Sequence, residues 1–209
     1  MVEALTGTPG FASSRITFAS ASGAKKNKVK EIYVSDIDGA NARQLTQDKS
    51  LGYGPKFSPD GGKIVYSSDK SGYRDTYVID LGSKKRTCVA QFPGQNTGAA
   101  FSPDGSLLAS ASYDGTVRFL RVATGEVESP LTGIREGCSG VAFAPDGRTL
   151  AVACEDGTVR LWNLATRREM LVLMHGRPEL RYVAFSPDAR TLVSVGRSEE
   201  HTSELSHRT

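Results

Sequence analysis

The sequence predicts an all-β chain: a β-propeller of four-stranded antiparallel blades, incomplete, with about four blades and part of a fifth. Two observations carry this. Phe57-Ser58-Pro59-Asp60-Gly61 returns as Phe101-Ser102-Pro103-Asp104-Gly105, then as Phe143-Ala144-Pro145-Asp146-Gly147 and Phe185-Ser186-Pro187-Asp188-Ala189, at steps of 44, 42 and 42 residues. The segments between copies are short strand-like runs separated by polar turns. A self-similar period in the low forties built of short strands and tight turns is the signature of one propeller blade per repeat.

The repeated phrase has a mechanical meaning. Ser, a Pro with its φ already fixed, Asp and then Gly are the residues of a type I turn followed by a left-handed position, so each copy is a hairpin. The Phe before each turn ends a strand of alternating small and large residues, as in Gly98–Phe101, Gly140–Phe143 and Tyr182–Phe185. Its ring is therefore expected between blades, where burial contributes about 1.5–3 kcal/mol. Ala189 replaces the glycine in the last copy, and a Cβ in the left-handed region costs on the order of 1–2 kcal/mol.

In chain order, residues 1–14 read as the end of a helix and a linker from a further N-terminal domain. Residues 15–196 read as blades over 15–46, 54–92, 98–131 and 140–174, with a partial blade over 182–196. No closing strand is evident, so the terminal faces are expected to be open and the chain to be a fragment. Residues 197–209 read as a disordered tail, and Arg197–Leu205 resembles the translation of a short-read sequencing adapter, so it is set aside from the fold.

Composition excludes several classes. A net charge of +3 over 209 residues, with no basic stripe interleaved with aromatics, does not point to nucleic acid. No run approaches the roughly 18 apolar residues of a membrane helix, and the N-terminus lacks the basic start and apolar run of a signal peptide. Lys25, Lys26, Lys28 and Lys30 are expected in a solvated hairpin loop. Three cysteines without a CxxC indicate neither a zinc site nor a disulfide framework. Cys138 and Cys154 should meet across one hairpin, as two small buried thiols or, alternatively, as a bridge.

No catalytic constellation stands out. A nucleophile elbow, an H-E-x-x-H, a phosphate loop and a dinucleotide fingerprint are all missing. The aspartates Asp38, Asp60, Asp104, Asp114, Asp146 and Asp156 each precede a Gly, which turn geometry explains; the spacing of a calcium loop does not occur. No cofactor, no metal and no enzyme activity are expected.

Two resemblances follow from particular residues. Leu5-Thr6-Gly7 leading to Arg15-Ile16, Tyr33-Val34-Ser35-Asp36 with Asp38-Gly39, and Ala99–Gly105 after Gly94 and Asn96 resemble the TolB propeller of the Tol–Pal envelope system, over about residues 3–106. That resemblance implies a periplasmic protein-binding propeller whose partners are a Pal-like lipoprotein and TolA; for the chain as it stands, without an export signal, the cytoplasm is the alternative. From about residue 107 to 196 the chain is similar to WD repeats instead, carried by Ser110–Arg118 and by Glu155-Asp156-Gly157-Thr158-Val159-Arg160-Leu161-Trp162-Asn163.

In WD repeats the turn Asp commonly shares a hydrogen-bonded network with a Ser or Thr, a His and the Trp. Here Asp156 and Trp162 are present, Ala153 and Cys154 surround the hydroxyl position, and His175 stands where the next blade's His would be. The turn and blade motif residues are thus Asp60, Asp104, Asp114, Asp146, Asp156, Trp162 and Asp188. The change of pattern at Phe101–Gly105 suggests two propeller sequences joined at a shared phrase. The expected function is a non-catalytic protein-interaction scaffold; the alternative is an accessory or gating part of a larger enzyme, a serine peptidase or bacterial protein kinase.

Overall fold

A computed structural model describes residues 14–24, 28–91, 95–174, 179–196 and 205–208. Every regular element among them is a strand. Blade 1 holds β1 (Arg15–Ser22), β2 (Val29–Asp36) and β3 (Arg43–Gln44), and blade 2 holds β4 (Gly52–Phe57), β5 (Lys63–Ser68), β6 (Asp75–Asp80) and β7 (Arg86–Ala90). Blade 3 is β8 (Asn96–Phe101), β9 (Leu107–Ser112), β10 (Val117–Arg121) and β11 (Val127–Leu131). Blade 4 is β12 (Cys138–Phe143), β13 (Thr149–Cys154), β14 (Thr158–Asn163) and β15 (Arg168–Met174). Blade 5 has β16 (Leu180–Phe185), β17 (Thr191–Gly196) and β18 (Leu205–Arg208). Each is an antiparallel meander in sequence order.

The repeated phrase forms the same hairpin four times. Its Phe pairs with an aliphatic residue across the turn: Phe57 with Ile64, Phe101 with Leu108, Phe143 with Leu150 and Phe185 with Leu192. Phe101 and Phe143 are buried, while Phe57 and Phe185 are half-buried against the cores between blades 1 and 2 and between blades 4 and 5.

In blades 2, 3 and 4 the second strands are buried on both faces, so alternate residues serve alternate neighbours. In β5, Ile64 and Tyr66 pack toward blade 1, and Val65 packs with Phe101 and Leu108 of blade 3. In β13, Leu150 and Val152 join Phe119 and Leu131 of blade 3, and Ala151 and Ala153 join Leu180 and Val183 of blade 5.

Innermost strands touch through backbone. A Cβ on Gly98 would lie 2.6 Å from the Gly140 Cα, and one on Gly140 would lie 2.8 Å from the Arg181 carbonyl oxygen. Gly52 likewise faces the Lys30 carbonyl at 2.9 Å. Glycine at these places lets β8, β12 and β16 close around the axis.

The first blade has three strands among the described residues. Arg15-Ile16-Thr17-Phe18 matches Lys63-Ile64-Val65-Tyr66, so β1 fills the place of a second strand, and the innermost place is not represented. Residues 1–13, where the helix end was expected, lie outside the described residues, as do Lys25, Lys26, His175 and His201. The tail departs from the expectation of disorder over 197–209: Leu205–Arg208 pairs with β17, from Thr191↔Arg208 to Ser194↔Leu205. The open edge of β17 offers unpaired backbone groups, and a short strand satisfies them whatever its side chains.

Candidate functional site

The aspartates singled out by the sequence are turn builders. In the first hairpins the Asp60, Asp104, Asp146 and Asp188 carboxylates accept the backbone N–H two residues on, at 3.0, 3.1, 2.8 and 3.0 Å. Ser58, Ser102 and Ser186 donate to the same Asp oxygens at 2.5 Å, and these bonds hold the carboxyls of Asp60, Asp104 and Asp188 below their ordinary range. Successive turns stack along one rim: Pro59 lies beside Gly105, and Pro103 beside Gly147.

Asp114 and Asp156 lie in turns between second and third strands, hence at the opposite end of the molecule. Each accepts the N–H and hydroxyl of the Thr two residues on, at 2.9 and 2.5 Å for Thr116 and 2.9 and 2.6 Å for Thr158. The other carboxylate oxygen binds Arg118 at 2.9 Å or Arg160 at 3.2 Å. Partial burial alone would raise both carboxyls; the Thr and Arg hydrogen bonds outweigh it and hold them low.

Trp162 is buried between blades 3 and 4, and its Nε1 has no hydrogen-bond partner among the described residues. Among the described residues, the network that a WD Trp commonly joins is not assembled at Trp162.

These seven residues do not converge on one place. The groups that do converge stand at the axis, at the end bearing Asp114 and Asp156; of them the sequence singled out Lys30 alone, and as part of a solvated loop, whereas it lies half-buried in β2. Tyr53 of β4 carries the Arg74 guanidinium over its ring at 4.1 Å and the Lys30 ammonium at 5.0 Å. Its hydroxyl donates to Asp69 at 3.3 Å, and Arg74 binds Asp69 at 2.9 Å.

In blade 5, Arg181 reaches past blade 4 to donate to the Tyr113 hydroxyl at 2.5 Å, and binds Glu179 at 3.3 Å. Burial pushes the phenols of both Tyr53 and Tyr113 up. Backbone bonds string these loops together: Asn96 N to Arg74 O at 2.8 Å, Tyr113 N to Gln95 O at 3.0 Å and Glu179 N to Glu155 O at 2.8 Å.

Deeper along the axis, a register shift between Tyr53 and Lys56 re-aims the Lys56 side chain. Its ammonium donates to the Val141 carbonyl of blade 4 at 3.4 Å. Burial lowers its pKa, as expected for a cation drawn out of water. Among the described residues no carboxylate lies within 4.0 Å of it, whereas Arg86 has Asp48, Arg74 has Asp69 and Arg167 has Glu128.

A further cleft of about 240 Å³ separates blades 2 and 3 near the repeated turns, floored by Val78, Val89, Phe101, Leu120 and Val122. No group of three or more metal-ligating side chains occurs among the described residues.

The profile of the TolB beta propeller domain matches residues 2–119, more than half of the chain. The chain belongs to the TolB β-propeller family. A second profile, WD domain, G-beta repeat, matches residues 125–163. The TolB match continues through the hairpin of β9 and β10, so the pattern changes later than the shared phrase at Phe101–Gly105. A β9–β10 hairpin closed by Asp-Gly fits both strand plans.

The Tol-Pal system protein TolB of Roseobacter denitrificans is 39% identical over 69 residues, 33% of this chain and 16% of that protein. TolB of Sphingopyxis alaskensis is 42% identical over 64 residues, 31% of this chain and 14% of the relative. The crystal structure of TolB from Acinetobacter baumannii superposes with a TM-score of 0.79 at 21% identity, over 99% of this chain and 53% of that one. Kuenenia stuttgartiensis hydrazine synthase gives 0.62 at 20% identity, over 74% and 45%. These last two show the shared fold, and the chain spans about half of each, at 53% and 45%. In this TolB-type propeller no helix among the described residues is long and apolar enough to cross a membrane.

Proposed function

We propose that the chain is a non-catalytic protein-interaction scaffold that holds a partner at the mouth of its axis. The observation that carries this is the TolB-family match over residues 2–119, joined to relatives named for the Tol–Pal system. The partner is a Pal-like lipoprotein, with TolA as a second contact, and the setting is the periplasm. The WD-type blade that follows is the continuation of a ring joined from two kinds of propeller sequence. Rigid strands presenting loops from several blades to one place suit binding, and Tyr53, Arg74, Tyr113 and Arg181 supply aromatic faces and cations of the kind that dominate interface energetics.

The test is calorimetric titration of the purified chain with the soluble domain of a Pal-like lipoprotein. Saturable binding, weakened at least tenfold by Arg74→Glu together with Arg181→Glu at unchanged circular dichroism, is the expected result. Absence of heat under conditions in which the TolB of a relative binds would remove the proposal.

A further inference from the structure

Cys138 and Cys154 are register partners on β12 and β13, the first hairpin of blade 4. Both are buried and free, and neither has a part in the partner site. Glu155 N donates to Gly137 O at 2.9 Å. That puts the ladder hydrogen bonds on the neighbouring pair and makes Cys138 and Cys154 a non-hydrogen-bonded pair. Such pairs are the closer class in an antiparallel ladder, with Cα atoms roughly 4.5 Å apart. A disulfide accepts Cα separations of about 4.4–6.8 Å.

As opposite residues of one antiparallel pair the two side chains stand on the same face of the hairpin, and the Cys154 thiol donates only a long bond to the Val152 carbonyl, at 3.9 Å. A register shift between Cys138 and Gly140 gives the backbone slack beside them. The third cysteine, Cys88, sits exposed on β7 of blade 2.

We propose that Cys138 and Cys154 are a disulfide-forming site, oxidised by exchange with a small-molecule disulfide such as oxidised glutathione. The Cys154 thiolate attacks one sulfur of the oxidant, forming a mixed disulfide and expelling one small thiolate. Cys138 gives up its proton to water and attacks the Cys154 sulfur, expelling the second. One oxidant disulfide is reduced to two small thiols, and two protein thiols become one intrachain disulfide.

Cys154 is the first nucleophile because its pKa is the one lowered by the neighbouring thiol, while Cys138 is held high by the same neighbour and by burial. Exchange needs access, and both sulfurs are fully enclosed. The bridge therefore forms fast while β12 and β13 are assembling and slowly once blade 4 is packed.

The experiment uses the full chain alone, so it does not depend on the partner reading. Cys88→Ser protein is refolded in a glutathione redox buffer, and intact mass, thiols titrated in denaturant and the urea midpoint are measured. Wild-type protein is peptide-mapped in parallel, which covers any folding defect of the variant. The expected product is a monomer lacking two hydrogens, without titratable thiols, with a Cys138–Cys154 cross-linked peptide and a urea midpoint that falls on adding dithiothreitol. Cys138→Ser in the same background keeps Cys154 as a thiol or a glutathione adduct and shows no such fall. Two titratable thiols, glutathione adducts at both positions, or disulfide-linked dimers in the refolded Cys88→Ser protein would overturn the proposal.

Discussion

Ala189 adopts φ 58°, where the three other copies of its turn place Gly61, Gly105 and Gly147 at 65°, 70° and 69°. The hairpin forms with the same bond as its siblings, Ala189 N donating to Ser186 O at 2.9 Å, so the substitution stores strain without changing the turn. Ala189→Gly is expected to stabilise the protein by about 1 kcal/mol, read as a higher urea midpoint at unchanged slope. An unchanged or lower midpoint would show that the last hairpin lies outside the cooperative unit.

The serines of the same turns have a pH signature. Depressed carboxyls at Asp60, Asp104 and Asp188 contribute stability above the ordinary value of 3.8, lost as pH falls through their lower folded values. Ser58→Ala, Ser102→Ala and Ser186→Ala together should lower the urea midpoint at neutral pH. The gap from wild type should then close as the pH falls below about 4, since protonated carboxyls no longer distinguish the two proteins. A gap that persists undiminished into strong acid would mean that the hydroxyls act through packing.

At the scale of strands, Gly98 is the sharpest constraint. A methyl there would stand 2.6 Å from both Gly140 Cα and Ser139 O, backbone atoms that cannot turn aside. Gly98→Ala should force β8 from β12 and cost more than about 2 kcal/mol, the range of overpacked sites. The exposed Gly82→Ala, likewise outside the left-handed region and meeting only the Asp80 carboxylate at 3.5 Å, controls for replacing a glycine by alanine. Equal losses in the two variants would refute a steric cause.

Trp162 gives a second contrast. Its ring belongs to the core with Phe119 and Phe143, but its N–H finds no partner among the described residues. Trp162→Phe keeps apolar bulk and deletes the orphan donor, so it should cost under about 1 kcal/mol, against about 3–5 for Trp162→Ala. Thermal midpoints of the two variants decide this, and a Phe variant as weak as the Ala variant would point to a hydrogen bond made by Nε1.

Hairpins of this kind were legible because turn chemistry is local: four or five residues around Asp60 or Asp156 fix their own geometry. Contacts between Lys56 and Val141 or between Arg181 and Tyr113 were not, since their partners are 85 and 68 residues apart and meet only through the angle between blades. The pairing of β18 was equally hidden, because an open strand edge recruits backbone and leaves no side-chain pattern to read.

At the scale of the whole molecule, blades stack in chain order and each interior blade is covered on two faces. Among the described residues, the outer two are not. On β1, Ile16 and Phe18 are 41% and 36% exposed and alternate with Ala19, which packs on the core between blades 1 and 2. On β16, Tyr182 is 55% exposed and stands beside Val183, which packs on blade 4. These are the faces that a neighbouring blade covers in a stacked array, and apolar surface left open there favours association.

Sedimentation velocity of the isolated chain should therefore show a weight-average mass that rises with concentration. Phe18→Glu combined with Tyr182→Glu should bring it back toward the monomer at the same concentrations. Both substitutions lie at exposed positions, so the variant should retain the wild-type urea midpoint, and that separates lost association from lost folding. A wild-type chain that sediments as a monomer at every concentration would mean that the two end faces are too small or too polar at their margins to drive contact.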